Sequence, residues 1–280
     1  MTLSRRALLL GASAALGLAG CARPRVSLVT PSPSPTGPVR DQLTAMMDAY
    51  GRNTERLGMS VKDLRTGQSF EFRGAYDTQS ASIAKVMIVL MALTQARAQG
   101  RELSFEDYGR ASRAIIDSDN DSADALWESA GGREQYTALA RDLGLPDTHH
   151  DERSTFWSWT NTTPDDQRQL MDLLVRGTPA VHDEDRLYLL ELMGKTNPDQ
   201  TWGIGHDRGG KVDVWMKNGW VQFKSTDNLW AVNSIGHVAG EGRDYVAAIM
   251  CRMPTFEEGR ALVDAIGADL FTAMGAGELR

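Results

Sequence analysis

The stretch that decides the fold is ASIAKVMIVLMALTQARA, which occupies residues 81–98. Residues 83–93 would be apolar on nearly every face of a helix, and such a helix is usually buried in the middle of a domain. Lys85 interrupts this run, and a buried lysine is costly unless it has a partner or a use. A helix that begins here places Ser82 and Lys85 one turn apart on one face. The sequence therefore predicts a buried central helix that presents a serine beside a lysine.

The segments on either side of this helix predict strands at both ends of the chain and helices between them. Residues 59–64 and 68–72 alternate apolar and polar side chains around a turn, which is typical of a β-hairpin. Further strands are predicted at 212–216, 228–237 and 245–250, and further helices at 41–53, 105–130, 133–143, 163–175, 183–193 and 256–273. Strands from both chain ends would then form one sheet around an inserted helical lobe, at about residues 80–190.

The first 40 residues have the pattern of an export signal followed by a tether. Arg5 and Arg6 precede an apolar segment too short to span a membrane, as in a secretory signal, and the paired arginines resemble a twin-arginine signal. Residues 18–21, Leu-Ala-Gly-Cys, resemble a lipobox, so we predict a lipoprotein signal sequence at residues 1–21 that is cleaved ahead of Cys21, which is lipidated and becomes the mature N-terminus. The alternative is an ordinary signal peptide with a chance cysteine. Residues 22–40 are rich in Pro and Ser, which predicts an extended tether ahead of a folded body at 41–280.

Charge and cysteine content restrict the class of protein. Residues 1–40 contain five arginines and no acidic residue, which leaves 25 basic and 37 acidic residues in 41–280, a formal charge of −12. An acidic body is a poor ligand for phosphate backbones, so we predict no nucleic-acid partner. If Cys21 carries lipid, Cys251 has no partner for a disulfide, and its apolar context predicts a small core residue of a buried strand.

Two further short motifs follow the Ser82–Lys85 pair along the chain: Ser118-Asp119-Asn120 in the helical block, and Lys217-Asn218-Gly219 at the predicted end of a late strand. Each motif has an ordinary structural explanation, because Ser-Asp-Asn suits a helix cap and Lys-Asn-Gly suits a strand followed by a turn. Their joint order, after a serine and a lysine on a buried helix, indicates a catalytic site.

This order resembles the serine β-lactamases and penicillin-binding proteins, especially the class A β-lactamases, over about residues 41–275. The family pattern is Ser-x-x-Lys, then Ser-Asp-Asn, then Lys-Thr/Ser-Gly. The resemblance implies an α+β fold, in which an antiparallel five-stranded sheet flanked by helices packs on an all-helical lobe, with the site in the cleft between them. It also implies that the substrate, a β-lactam or a D-alanyl peptide, forms an acyl-enzyme.

The resemblance assigns a catalytic role to three residues. Ser82 would attack the substrate carbonyl, Lys85 would accept its proton directly or through water, and Ser118 would relay a proton to the leaving nitrogen. A normal lysine has a pKa of about 10.4, so a neutral one at pH 7 costs roughly 4.6 kcal/mol. Burial and the like charge of Lys217 would lower the pKa of Lys85 toward the value that a base requires.

Substrate binding is assigned to five other residues. Asn120 would bind the substrate side-chain amide or Lys85, and Lys217 would attract the substrate carboxylate together with Asn218 and Gly219. The strand around Trp220 would offer a backbone amide that joins the amide of Ser82 in an oxyanion hole.

Three features depart from the family pattern. The loop before residue 164 holds Asp151 and Glu152, but no asparagine follows Glu152 at the Glu-x-x-x-Asn spacing, so the deacylating carboxylate is missing or displaced, and we interpret the two acids as a solvated loop pair. Ser82 and Ser118 lie closer in sequence than in class A enzymes, and Asn218 stands where the family has a hydroxyl residue, which weakens carboxylate recognition.

Three functions remain open from the sequence. The first is a β-lactam hydrolase, the second is a D,D-carboxypeptidase acting on cell-wall peptides, and the third is a non-catalytic lipoprotein that keeps the fold for binding. We expect no cofactor and no metal, because the adjacent His149 and His150 would face away from each other. We also expect a monomer, attached to the outer face of a bacterial cell membrane through its N-terminal lipid alone.

Overall fold

The computed structural model describes residues 36–52, 54–206, 211–224 and 227–280. The predicted signal peptide, Cys21 and most of the predicted tether lie outside these ranges. The first helix begins at Val39, so the folded body includes the last residues that we assigned to the tether.

The secondary structure follows the predicted order of strands, helices and strands. The strands are β1 (Leu57–Asp63), β2 (Ser69–Phe72), β3 (Thr78–Gln79), β4 (His149–His150), β5 (Thr160–Thr162), β6 (Asp213–Gln222), β7 (Trp230–Gly240) and β8 (Arg243–Met253). The helices are α1 (Val39–Gly51), α2 (Ala84–Ala98), α3 (Phe105–Ile116), α4 (Asn120–Ser129), α5 (Gly132–Asp142), α6 (Pro164–Arg176), α7 (Asp183–Met193) and α8 (Phe256–Ala276).

The main sheet has five antiparallel strands in the order β2-β1-β8-β7-β6. Strand β1, from the first part of the chain, pairs with β8 near its end, from Leu57 opposite Cys251 to Asp63 opposite Tyr245. The predicted five-stranded sheet built from both chain ends is confirmed. Strand β6 forms one edge of this sheet, which leaves its outer side free to contact the helical lobe.

The sheet separates two hydrophobic cores. Helices α1 and α8 pack on one face, while α6 and the other helices of the lobe cover the opposite face around α2. Residues 81–98 form a helical segment that is long and apolar enough to cross a membrane by composition, but 72% of it is buried within the fold. This is the predicted central helix, and its apolar side chains fill the core on every side. Cys251 is fully buried in β8, as predicted.

The structure corrects two of the predicted elements. The helix predicted over residues 105–130 is broken at 117–119, because Ser118 has a left-handed backbone with φ of 58° and Asp119 caps α4 by accepting a hydrogen bond from Ser122 N. Strand β6 does not end at Lys217 but continues to Gln222, since it pairs with β7 along its whole length. Lys217 therefore lies in the middle of a strand, where its backbone is fixed from both ends.

Candidate active site

Ser82 lies in a 3-10 turn, Ala81–Ile83, that leads directly into α2. The preceding Ala81 has a φ of 50°, a left-handed conformation that typically costs a residue with a Cβ about 1–3 kcal/mol. Buried hydrogen bonds hold the segment in place: Asn233 Nδ2 on β7 donates to Gln79 O and Ser80 O, each at 3.0 Å. The fold thus fixes the serine at a strained turn against the central sheet.

Gly219 on β6 allows the sheet edge to approach this turn closely. A Cβ at position 219 would lie 2.7 Å from both Ser82 N and Ile83 N, and 2.8 Å from Ser80 O. No side chain fits there, because all three atoms belong to the backbone. The close approach places the backbone of β6 beside the amide of Ser82, as the predicted oxyanion hole requires.

We expect Gly219→Ala to slow acylation of Ser82 by about 10²-fold, because β6 and the serine turn must separate and a misplacement of about 1 Å has effects of this size. Overpacking should also lower the free energy of unfolding by about 1–3 kcal/mol. Acylation rates from quenched-flow mass spectrometry and urea unfolding measure the two effects. Gly109→Ala in α3, where the nearest side-chain atom is 3.4 Å from the added Cβ, is the control and should keep the full rate. If Ser82 of the Gly219→Ala protein were acylated at the wild-type rate, the assignment of the β6 backbone to the oxyanion hole would be contradicted.

Two buried lysines meet at the hydroxyl of Ser118. Lys217 Nζ donates to Ser118 Oγ at 2.9 Å, and Lys85 Nζ lies 3.2 Å from the same atom. Lys85 Nζ also donates to Ser118 O at 2.5 Å and to Asn120 Oδ1 at 2.7 Å. Both lysines have no exposed surface. Three motifs that are far apart in the sequence are thereby joined in one network.

Neither lysine forms an ion pair with a carboxylate among the described residues. Burial lowers the pKa of Lys85 to about 8, although the charges of Asp119 and Asp124 oppose the shift. Burial also lowers the pKa of Lys217 far below its ordinary value, and the charge of Lys85 adds to this effect. Two lysines buried together in this way favour a state in which one amine is neutral and the other is charged. An anionic ligand would offset the remaining positive charge, so the pair favours binding of an anion.

A cleft of about 260 Å³ contains the exposed part of the site, and its lining includes Ser82, Asn120, Asp124, Trp157, Ser158 and Trp220. Asn120 lines the cleft and also bonds Lys85, so the cleft borders the lysine network. Trp157 covers the network from the loop before α6: its ring lies 4.9 Å from Lys85 Nζ, and its Nε1 donates to Asp124 Oδ1 at 2.5 Å. The indole excludes solvent from Lys85, which supports the lowered pKa of that amine.

The structure places Asn218 differently from our prediction. Its side chain is fully buried, and Nδ2 donates to Gln200 O at 2.7 Å and to Trp202 O at 3.0 Å. The Asn218 amide therefore links β6 to the segment of residues 200–202 and does not point into the Ser82 cleft. Side chains alternate along a strand, so Asn218 lies on the face opposite to Lys217 and Gly219.

The two acids of the loop lie away from the Ser82 cleft and line a separate cavity beside α5. Glu152 is exposed, as expected for a solvated loop residue. Asp151 is not solvated: only 6% of it is exposed, and hydrogen bonds from Arg153 lower its pKa to about 2. His149 is exposed and His150 is buried, so the two rings lie on opposite faces of β4. Within the described ranges, no group of three or more His, Cys, Asp or Glu side chains could hold a metal ion.

Sequence reasoning missed two residues that shape the site, Asp124 and Asn233, and did not distinguish a third, Trp157, from the other tryptophans of the later sequence. A signal existed for Asp124, which follows Asn120 by four residues and so shares its face of α4. Asn233 is a polar residue in a mostly apolar strand, a pattern that indicates a buried hydrogen-bonding role. Trp157 could be singled out only by the contact that it makes in the fold.

Comparison with known sequences finds two kinds of relative. The model of the β-lactamase enzyme family matches residues 38–109 and 97–274, which is most of the chain. The protein named "Putative lipoprotein LppW" in Mycobacterium tuberculosis and Mycobacterium bovis is 27% identical over 205 residues, or 71% of this chain. The aligned part spans 63% of the length of LppW.

Comparison with solved structures finds the same architecture in several proteins. A class A β-lactamase from Bacteroides cellulosilyticus superposes with a TM-score of 0.73 at 15% identity, covering 86% of this chain and all of the other. The structure titled PBP-A gives a TM-score of 0.73 at 18% identity, with 87% and 99% covered. A β-lactamase from Burkholderia vietnamiensis gives 0.70 at 18% identity, with the same coverage. At these identities the likeness concerns the fold, and together with the matched family model it shows that the chain belongs to the β-lactamase enzyme family.

Proposed function

We propose that this protein is a serine hydrolase that forms an acyl-enzyme at Ser82 with β-lactams. The observation that carries the proposal is the network below the cleft, in which Lys85 Nζ and Lys217 Nζ both contact Ser118 Oγ. A serine at the start of a buried helix, with a lysine of lowered pKa one turn later, has the parts of an activated nucleophile. The same parts would act on a D-alanyl peptide.

The chemistry follows from the position of each group. Lys85, in its neutral form, takes the proton of Ser82 as the hydroxyl oxygen attacks the lactam carbonyl. Because Ser118 Oγ accepts from lysine amines, its own proton is free to point toward the leaving nitrogen and to complete the cleavage of the C–N bond. Backbone amides at Ser82 and along β6 would stabilise the oxyanion.

Recognition of the substrate uses the charge and the walls of the cleft. A β-lactam carries a carboxylate, which would offset the charge of Lys85 and Lys217 where no described carboxylate pairs with them. Asn120 keeps its Nδ2 donor available, because Oδ1 is the atom that accepts from Lys85. Trp220 supplies an apolar wall beside Ser82.

For location, we propose a lipoprotein anchored through Cys21 at the outer face of the bacterial membrane. The support is the lipobox-like sequence ending at Cys21 and the name of the LppW relatives. A cell-surface position would expose the cleft to β-lactams and to cell-wall peptides alike.

The test is covalent labelling of the full chain, purified in detergent, with a fluorescent penicillin. We expect label on the peptide that contains Ser82, and none on Ser82→Ala. Ser158→Ala is the matched control, because Ser158 lines the same cleft with a hydroxyl of its own and its loss should leave the label intact. Absence of label with several β-lactams, on protein that unfolds cooperatively, would favour the non-catalytic lipoprotein. Label that lasts for hours would favour the D,D-carboxypeptidase.

A further inference from the structure

A general base that activates water speeds release of the acyl group, and the loop before α6 supplies no carboxylate to the cleft for this role. Asp151 is bound to Arg153 through three hydrogen bonds between their side chains, and Glu152 lies with it in the other cavity. Among the described residues that line the Ser82 cleft, the one carboxylate is that of Asp124.

Asp124 is positioned by helix α4 and by the loop tryptophan. It follows Asn120 by one helical turn, so both side chains face the cleft, and Asn120 bonds Lys85 at 2.7 Å. Trp157 Nε1 donates to Asp124 Oδ1 at 2.5 Å, which fixes the direction of the carboxylate. No hydrogen bond from a described residue reaches Oδ2, so this oxygen is available to a water molecule. The charge of Asp124 also acts on the pKa of Lys85, as expected for neighbouring groups.

We propose that Asp124 is a further catalytic residue, the general base for hydrolysis of the Ser82 acyl-enzyme. Its carboxylate accepts a proton from water while the water oxygen bonds to the ester carbonyl carbon. The tetrahedral intermediate then collapses, the bond between that carbon and Ser82 Oγ breaks, and the proton held by Asp124 passes to Ser82 Oγ. The products are the free acid and the regenerated hydroxyl, so atoms and charge balance with water as the co-reactant. The proposal rests on the proposed acylation of Ser82.

Trp157 would act as a positioning residue in this reaction. Its ring covers Lys85, and its N–H donates to the carboxylate of Asp124. A single side chain therefore contacts both proposed bases and fixes the position of one relative to the other. Trp157→Phe keeps a smaller aromatic ring at this position and removes the hydrogen-bond donor. We expect it to slow deacylation while leaving acylation nearly unchanged.

The experiment measures the two half-reactions separately on the full chain, with benzylpenicillin and mass spectrometry of the intact protein. We expect Asp124→Asn to form the acyl-enzyme within about threefold of the wild-type rate, and to release it about 10²-fold more slowly, as loss of a general base predicts. Asp121→Asn, an exposed carboxylate of the same helix that does not line the cleft, is the control and should behave as wild type. Asp124→Glu should restore part of the deacylation rate.

The outcomes separate this inference from the proposal on which it rests. Equal deacylation rates in wild type and Asp124→Asn would overturn the role of Asp124 and leave the acylation of Ser82 intact. A parallel loss of acylation and deacylation in Asp124→Asn would show a structural role and would also overturn it. A wild-type protein that is never acylated would overturn both the proposed acylation of Ser82 and the proposed role of Asp124. Matching unfolding temperatures of the variants exclude misfolding as the cause of a slow rate.

Discussion

Replacing Lys85 by methionine is expected to reduce the rate of Ser82 acylation by about 10³-fold, within the range that a general base contributes. Methionine keeps an unbranched side chain one atom shorter than that of lysine and removes the amine that contacts Ser118 and Asn120. In wild type the acylation rate should rise with pH through about 8, because burial lowers the pKa of Lys85 to that value and only the neutral amine accepts a proton. The variant should lack this pH dependence. Quenched-flow measurements between pH 6 and pH 10 would contradict the assignment if the variant showed the same dependence.

The same substitution is expected to increase stability at neutral pH by about 1–3 kcal/mol. The pKa of Lys85 is about 8 in the folded chain against an ordinary value of 10.5, and this difference corresponds to about 3.4 kcal/mol. Lost hydrogen bonds to Ser118 and Asn120 offset part of the gain. Because the folded pKa is lowered, the unfolded chain binds more protons between pH 8 and pH 10.5, so wild-type stability rises across that window. The difference in stability between Lys85→Met and wild type should therefore become smaller as the pH approaches 10.5.

Lys62→Met is the matched control for this stability effect. Lys62 Nζ lies 2.6 Å from Asp172 Oδ2, and both side chains are largely buried. Loss of Lys62 leaves the largely buried Asp172 carboxylate with Arg176, whose Nε lies 2.9 Å from Oδ1, as its remaining cationic partner, so this variant should be destabilised at pH 7. If the free energy of unfolding rises in Lys85→Met and falls in Lys62→Met, the result would show that Lys85 is retained at a cost to stability. Chemical denaturation in which both variants change the free energy of unfolding in the same direction would contradict this interpretation.

The sequence motifs selected residues that the fold brings together, but they did not predict how those residues are arranged. Ser82 and Lys85 lie three residues apart, so helical geometry alone brings them together. Ser118 and Lys217 were selected by the order of three motifs, and the contact between Lys217 Nζ and Ser118 Oγ agrees with that selection. The predicted five-stranded sheet followed from alternation in segments with strong β-propensity, which local sequence reports well.

What the sequence could not predict depends on contacts between distant segments or on unusual backbone conformations. The left-handed conformation of Ala81 and Ser118 contradicts the local preference of both residues and exists because the surrounding fold imposes it. The hydrogen bond from Trp157 to Asp124 joins a loop to a helix 33 residues earlier. The direction of the Asn218 side chain depended on strand β6 continuing beyond the predicted turn.

Asp63→Asn is expected to lower the free energy of unfolding by about 3–5 kcal/mol, the usual cost of removing one partner of a buried ion pair. The Asp63 side chain is fully buried and accepts hydrogen bonds from Arg65 Nε at 2.8 Å, Arg65 Nη2 at 2.7 Å and Leu279 N at 3.0 Å. Arg65 Nη2 also donates to Gly277 O at 2.9 Å. The pair therefore holds the C-terminal residues against the turn of the first hairpin, and an asparagine would remove the carboxylate that pairs directly with the guanidinium.

The pH dependence of this loss identifies its electrostatic origin. Burial would raise the pKa of Asp63, but the hydrogen bonds from Arg65 and Leu279 outweigh it and lower the pKa below the ordinary value. A carboxyl with a lowered folded pKa stabilises the protein above its unfolded pKa of about 3.9, and this contribution is lost as the pH falls through the folded value. Thermal unfolding should thus show a large difference between wild type and Asp63→Asn at pH 7 that shrinks below about pH 4. Asp142→Asn, with a side chain 60% exposed and 3.4 Å from Arg141, should change stability by less than about 0.5 kcal/mol. A difference for Asp63→Asn that stays constant down to the acid limit would mean that packing, and not the ion pair, holds the C-terminus in place.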